Sequence, residues 1–100
     1  MMAGKVLSIC IPTFNRASAL NRTLEMLYGE LQGIEGEVEI CVSDNGSGDG
    51  TPDVLAGWEK KLPLVHSRNK TNLGFDINLI RAARLATTPL RVSLPSSGSG

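Results

Sequence analysis

The sequence is short of most features that let a small protein manage without a packed core. It has two cysteines, one histidine, one tryptophan, one tyrosine and two phenylalanines in 100 residues, and its formal net charge is zero. Two cysteines cannot build a disulfide framework, and Cys10 and Cys41 match no metal-ligand spacing. Both lie within apolar runs, so buried, reduced thiols are expected. The lone His66 has no Ser or Cys partner in a recognisable motif, and a structural role is assigned to it. Zero net charge excludes the basic footprint of a nucleic-acid-binding domain. No apolar run approaches the roughly 20 residues of a membrane helix. Val6 to Ile11 is too short for a signal-peptide core and has no cleavage site after it, so a cytoplasmic protein without a membrane segment is expected.

What is present reads as one modest domain, too small to hold a large active site between two full lobes. The charges are unevenly placed. From Glu25 to Glu59 every charged residue is acidic, and from Lys60 to Arg91 all but Asp76 are basic. Solvated surface on different elements accounts for this, and so does a basic half facing an anionic ligand.

Apolar patterning alternates by type. "KVLSICIP" and "EVEICVSD" suit strands, "LPLVHS" a short third strand and "PLRVSL" a weakly alternating fourth. Between them, "SALNRTLEMLYGEL" puts Leu20, Leu24, Leu27 and Leu31 on one helical face with Ser18 as the expected cap, and Gly33 and Gly36 end that helix. "TPDVLAGWEKK" predicts a helix capped by Thr51, with Pro52 at its first helical position, Asp53 favouring its N-terminus and Trp58 on its inner face. "RNKTNLGFDINLIRAARLAT" predicts a loop and a third helix burying Ile77, Ile80, Ala83 and Ala86. Alternation of this kind predicts an α/β fold, a parallel βαβαβαβ Rossmann-like sheet with helices on both faces. Ligands of such sheets collect at the carboxyl ends of the strands. The tail "PSSGSG", residues 95–100, has the composition of a flexible linker, which leaves residues 1–94 as the domain.

The loop after the second strand, "VSDNGSGDGTPD", holds three glycines and three aspartates in twelve residues. As a dinucleotide cradle it fails, because the third glycine is at the wrong offset and Asp44 and Asp49 would repel a pyrophosphate. As a calcium loop counted from Asn45 it also fails, since its twelfth residue is Ala56 where a bidentate Glu is needed. A tight turn with Asp44 or Asn45 accepting backbone hydrogen bonds explains part of it, and Asp49 and Asp53 read as turn and helix-start residues. Asp44, at a strand end, is also able to accept from the N–H of a base. The first loop supplies a matching set: Pro12 ends the strand, Thr13 and Asn15 are polar, Phe14 offers a flat face for a base, and Arg16 a cation for phosphate.

These residues carry a family resemblance. "SICIPTFNRASALNRTLEML", "EVEICVSDNGSGDGTPDVL" and "RNKTNLGFDINLIRAARLAT" together resemble the N-terminal half of a family 2 glycosyltransferase with a GT-A fold. In that family a P-T-Y/F-N-R loop, a D-D/N-x-S-x-D-G-T loop and an N-x-G segment recur in this order at this spacing. "NLGFD" is similar to the abequosyltransferase and rhamnosyltransferase branch. The resemblance implies binding of a nucleotide-diphosphate sugar and, in the full-length protein, transfer of the sugar with inversion to a saccharide or lipid-linked acceptor hydroxyl. It implies a nucleotide site of Pro12, Thr13, Phe14, Asn15, Arg16, Asp44, Asn45, Asn72 and Gly74, with Arg68 and Asp76 as weaker members.

The resemblance also implies Mn²⁺ or Mg²⁺ held by an Asp-rich motif after the fourth strand, where this chain has Pro95, Ser96, Ser97 and Gly98. Metal ligands and a catalytic general base are therefore expected to be absent from the chain, which as written should not catalyse transfer. Two further readings stay open: a non-catalytic nucleotide-binding or protein-interaction module, and a homodimer paired through the last strand.

Overall fold

A computed structural model describes residues 5–94; the expected Ser/Gly tail at 95–100, with the positions aligned to the Asp-rich motif, lies outside the described residues. The chain forms β1 (Leu7–Thr13), α1 (Ala17–Glu30), a single 3₁₀ turn (Glu35–Glu37), β2 (Val38–Asp44), α2 (Thr51–Trp58), β3 (Leu64–Arg68), α3 (Phe75–Arg84) and β4 (Leu90–Ser93). The four strands pair in parallel in the order β3-β2-β1-β4. The order therefore switches at β1, and the loops leaving β1 and β2 emerge side by side at the carboxyl edge.

The two faces of the sheet differ in chemistry because side chains alternate along each strand. Ile9 and Ile11 sit beside Ile40 and Val42 in register, and with Val38 they form the apolar face. Leu20, Leu24, Leu27 and Leu31 pack on it from α1 and the residue just after it, joined by Leu55 of α2. Full burial of each leucine contributes about 1.5–3 kcal/mol, and these side chains are what anchor α1 and α2 on that side.

The opposite face is small and polar, built from Ser8, Cys10, Glu39, Cys41 and Ser43, all buried. Helix α3 covers it with Asn78, Ala82 and half-buried Ala83, joined by half-buried Ala86 just after the helix. Ile77 and Ile80, expected inside, are 45% and 49% exposed. A surface of serines and thiols gives bulky β-branched chains little to fill, and a close helix with small residues and one asparagine fits it better.

Cys10 and Cys41 are neighbours in the β1–β2 register, and both thiols are free. Burial pushes the Cys10 thiol up, and burial with the nearby Glu39 charge pushes Cys41 up to about 12, so both stay protonated at neutral pH.

Glu39 is the one buried carboxylate on this face, and it is fully served. It accepts from the Ser8 hydroxyl at 2.5 Å, from the Thr87 N–H at 2.6 Å and from the Thr87 hydroxyl. Burial alone would raise its pKa, but these donors, Ser8 first, hold it below the usual value. The carboxylate thereby ties the α3–β4 connection to the first two strands.

Helix starts depart from the expected caps. Ser18 is already inside α1, whose N-cap is Arg16 without a side-chain bond, and Thr51 is the first residue of α2 after Gly50. Trp58 packs against the core, with its indole N–H donating to Asn21 Oδ1 of α1 at 2.7 Å and its ring 5.7 Å from that of Tyr28. His66 is hydrogen-bonded to Glu59 at 2.7 Å, which agrees with a structural role.

Candidate functional site

Thr13 and Asp44 end β1 and β2 opposite each other, and the ladder continues one step past them. The Asn45 N–H donates to the Thr13 carbonyl at 2.8 Å, and the Asn69 N–H to the Asp44 carbonyl at 2.8 Å. Three strand ends are thus held in line. Pro12 lies just inside this edge, buried opposite Ser43. Its missing N–H points to the same side as the Cys10 carbonyl, which accepts from Leu94 at the end of β4. The proline therefore donates nothing to the rung that would follow the Leu94–Cys10 bond, at the end of the described part of β4.

Asp44 is only 1% exposed. Its Oδ1 accepts from the Ser47 N–H at 2.9 Å, while its Oδ2 has no hydrogen-bond partner. The Thr13 hydroxyl, buried on the neighbouring strand end, also has none. Buried polar atoms left unpaired cost about 1–3 kcal/mol each; Asp44 Oδ2 and Thr13 Oγ1 lie side by side at the strand ends, and Ser43 Oγ on the other face of the sheet is a third such atom. The nearest cation is Arg68, whose Nε lies 3.9 Å from Asp44 Oδ2 and whose Nη2 donates to the Ser47 carbonyl at 2.6 Å.

The two loops are stitched together by side chains. Asn15 adopts a left-handed φ of 50°, its N–H donates to Ser47 Oγ at 2.8 Å, and its Oδ1 accepts from the Gly48 N–H at 2.7 Å. Asp49 then reaches both helix starts. One oxygen accepts from the Ala17 N–H at 3.1 Å, and the other from the Thr51 N–H at 3.0 Å and the Thr51 hydroxyl at 2.5 Å. The Thr51 hydroxyl first, and then these amides, hold the Asp49 carboxyl below its usual range. Phe14 and Arg16 project from this stitched segment, both exposed.

A third segment closes against the same edge through asparagines. Asn45 is buried and its side chain is fully engaged: Nδ2 donates to Asn72 Oδ1 at 2.7 Å, and Oδ1 accepts from Asn69 Nδ2 and the Leu73 N–H, each at 2.9 Å. Asn72 Oδ1 also accepts from the Gly74 N–H at 2.8 Å. Gly74 has a φ of 92° and ψ of 158°, a conformation essentially reserved to glycine. Asn78 of α3 links Asn69 and the Thr13 carbonyl.

The sequence-derived set is thus brought together at one edge, but its members do different things. Thr13, Phe14, Arg16, Asp44 and Arg68 present groups outward or hold unpaired atoms. Asn15 and Asn45 are spent on the loops themselves, Asn72 and Gly74 form the rim, and Asp76 lies exposed in the first turn of α3. Ser47, Asp49, Asn69 and Asn78 were not singled out as site residues from the sequence. The only available signal for Ser47 and Asp49 was their place in the D-N-x-S-x-D-G-T string.

The acidic string does not gather into a cation cage. Asp49 is committed to two helix starts, Asp53 lines a separate groove between α1 and α2 with Asn21, Trp58 and Lys61, and among the described residues no group of three or more His, Cys, Asp or Glu converges.

Residues 8–93 match the family Glycosyl transferase family 2. The chain belongs to glycosyltransferase family 2. Its relatives include the abequosyltransferase RfbV of Salmonella typhimurium, 36% identical over 81% of this chain and 25% of that protein. They also include the validoxylamine A glucosyltransferase of Streptomyces hygroscopicus subsp. jinggangensis, 40% identical over 85% of this chain and 20% of that protein. The chain therefore spans a quarter or less of the length of these relatives.

Among solved structures, the fold matches a mannosyltransferase from Pyrobaculum calidifontis in complex with GDP-Man and Mn²⁺, with a TM-score of 0.82 and 26% identity over 95% of this chain and 28% of that one. It also matches TarS of S. aureus in complex with UDP-GlcNAc, with a TM-score of 0.84 and 25% identity over 91% of this chain and 26% of that one. The parallel four-stranded sheet with three helices is thus the N-terminal portion of a GT-A glycosyltransferase fold. No helix among the described residues is long and apolar enough to cross a membrane.

Proposed function

We propose that residues 1–94 form the nucleotide-diphosphate-sugar-binding portion of an inverting glycosyltransferase, and that the carboxyl edge of β1 and β2 binds the nucleotide. The observation that carries this reading is the pair of unpaired buried atoms, Asp44 Oδ2 and Thr13 Oγ1. An acceptor beside a hydroxyl able to donate is complementary to an imide edge, in which an N–H is flanked by a carbonyl. Uracil, thymine and the N1–O6 side of guanine present that edge, whereas cytosine presents an acceptor nitrogen where Asp44 needs a donor.

In this reading Phe14 lies against the flat face of the base, and Arg16 and Arg68 meet the negatively charged or carbonyl oxygens of the ligand. Asn72 and Gly74 bound the wall near the ribose or diphosphate, Asn15 and Asn45 fix the two loops, Pro12 sets the strand end, and Asp76 stands at the rim. The longer protein would transfer the sugar in the cytoplasm to a saccharide or lipid-linked hydroxyl. Mn²⁺ or Mg²⁺ would stabilise the departing diphosphate there. The carboxylates of the described residues do not fit such an ion, since Asp49 is engaged by both helix starts and Asp44 has no acidic neighbour gathered with it. No catalytic step is assigned to this segment. Of the two edge strands among the described residues, β4, with Leu90 and Val92 exposed, is the one that would pair in a homodimer.

Calorimetric titration of the chain with UDP, dTDP, GDP and CDP tests the reading. Binding of one or more of the three imide nucleotides with CDP much weaker is expected, and a chain that binds none of them, or CDP equally well, contradicts it.

A further inference from the structure

We infer that Asp49 is a positioning residue that locks the first loop to the second through the N-termini of α1 and α2, and so presets Phe14 and Arg16 for the ligand. This rests on the nucleotide-site reading for its consequence, but its geometry stands apart from it. A side chain that only capped its own helix would serve α2 alone. Asp49 instead divides its two oxygens, one to Thr51 at the start of α2 and one to Ala17 at the start of α1, 32 residues earlier. Neither helix has a side-chain cap of the usual kind on its N-cap residue.

The reach of this carboxylate completes a three-point seam. Asn15 meets Ser47 and Gly48, and Ala17 meets Asp49, so residues 14–16 are pinned at both ends, at Thr13 in the sheet and at Ala17 on the carboxylate. Asn15 is held in a left-handed conformation inside that short span. Fixing one residue costs about 1–2 kcal/mol in backbone entropy. With the seam intact that ordering is complete before the ligand arrives, and without it part of the ordering falls on the binding step.

Asp49 also occupies the place where a helix N-terminus would otherwise attract an anion. One N–H at each helix start, that of Ala17 and that of Thr51, is taken by Asp49, and the cations Arg16 and Arg68 are left to meet the ligand's charge.

Two variants separate the lock from simple capping. D49N keeps one acceptor oxygen but turns an amide donor toward the other helix start, whereas T51V removes only the hydroxyl bond at the buried start of α2. Amide hydrogen exchange is read on the free chain, and UDP affinity by calorimetry at a temperature where both variants are folded. In D49N, exchange is expected to speed up at residues 15–20 as well as at residues 51–55, with UDP binding about tenfold weaker. In T51V, faster exchange is expected at residues 51–55 alone, with UDP affinity unchanged. If D49N leaves residues 15–20 as protected as in the parent, or T51V weakens UDP as much as D49N does, the inference is overturned. Parent protein that binds none of UDP, dTDP and GDP while D49N still loosens residues 15–20 would contradict the nucleotide reading and leave the lock standing.

Discussion

Asp44 Oδ2 lies 3.9 Å from Arg68 Nε, within ion-pair range but beyond hydrogen-bond reach, while the same guanidinium is held 2.6 Å from the Ser47 carbonyl. The arginine is mostly exposed and its partner oxygen is buried, so the pair joins a solvent-facing cation to an atom that lacks a donor. Such a half-exposed contact contributes about 0–1 kcal/mol to stability.

R68A is therefore expected to change the midpoint of thermal unfolding by only a few degrees. The same substitution should weaken UDP binding several-fold, because it removes a cation from the ligand edge. Circular dichroism melts and calorimetry read the two effects separately, and a large stability loss without an affinity loss would reassign Arg68 to the fold.

Glu39 makes acid stability a local property. Its folded pKa is held below the unfolded value by Ser8 and Thr87, so its contribution is present above about pH 4.3 and disappears as pH falls through the folded pKa. Unfolding free energy measured in urea at about pH 7 and about pH 3.5 should drop less in E39Q than in the parent, and E39Q should be the less stable of the two at neutral pH. An acid limb of the same steepness in both proteins would show that other carboxylates govern it.

Gly46 and Gly48 are neighbours in the same loop with opposite demands. At Gly46 φ is 84° and an added Cβ would come 3.2 Å from the Thr71 carbonyl carbon and 3.3 Å from the Asn69 oxygen, whereas at Gly48 it meets nothing within 4 Å. G46A is expected to destabilise by about 1–3 kcal/mol, while G48A stays within about 0.5 kcal/mol of the parent. Equal shifts in urea midpoint would mean that the contact between this loop and residues 69–71 does not constrain the fold.

Much of the architecture was legible because it is written in repeating patterns. The strand and helix alternation appears as expected, and the stripe of Leu20, Leu24, Leu27 and Leu31 is buried as its spacing implies. What escaped was set by partners far away in sequence. Ile77 and Ile80 have the spacing of a buried face, yet Asn78 and Ala82 are the residues that meet the sheet, since the sheet presents serines and thiols there. No pattern internal to α3 reveals that. Ser18 looks like a cap for α1, but the cap-like bond comes from Asp49 on another loop. At the site, the ordered motifs marked the right edge of the sheet without separating residues that face a ligand from residues that hold the loops. Asn45 and Asp44 are adjacent and equally polar, and only the hydrogen bonds show that Asn45 is fully used while one oxygen of Asp44 is not.

That unused oxygen is the centre of the account, and the ratio of CDP to UDP dissociation constants in the parent and in D44N tests it most directly. D44N keeps an oxygen for the Ser47 N–H and puts an amide donor where Oδ2 was. The parent should favour UDP over CDP by about tenfold to a hundredfold, corresponding to about 1–3 kcal/mol for a mismatched buried group. In D44N that preference should collapse toward unity or invert, since cytosine offers an acceptor to the new amide. A ratio that is the same in both proteins would contradict the assignment of Asp44 to the base edge.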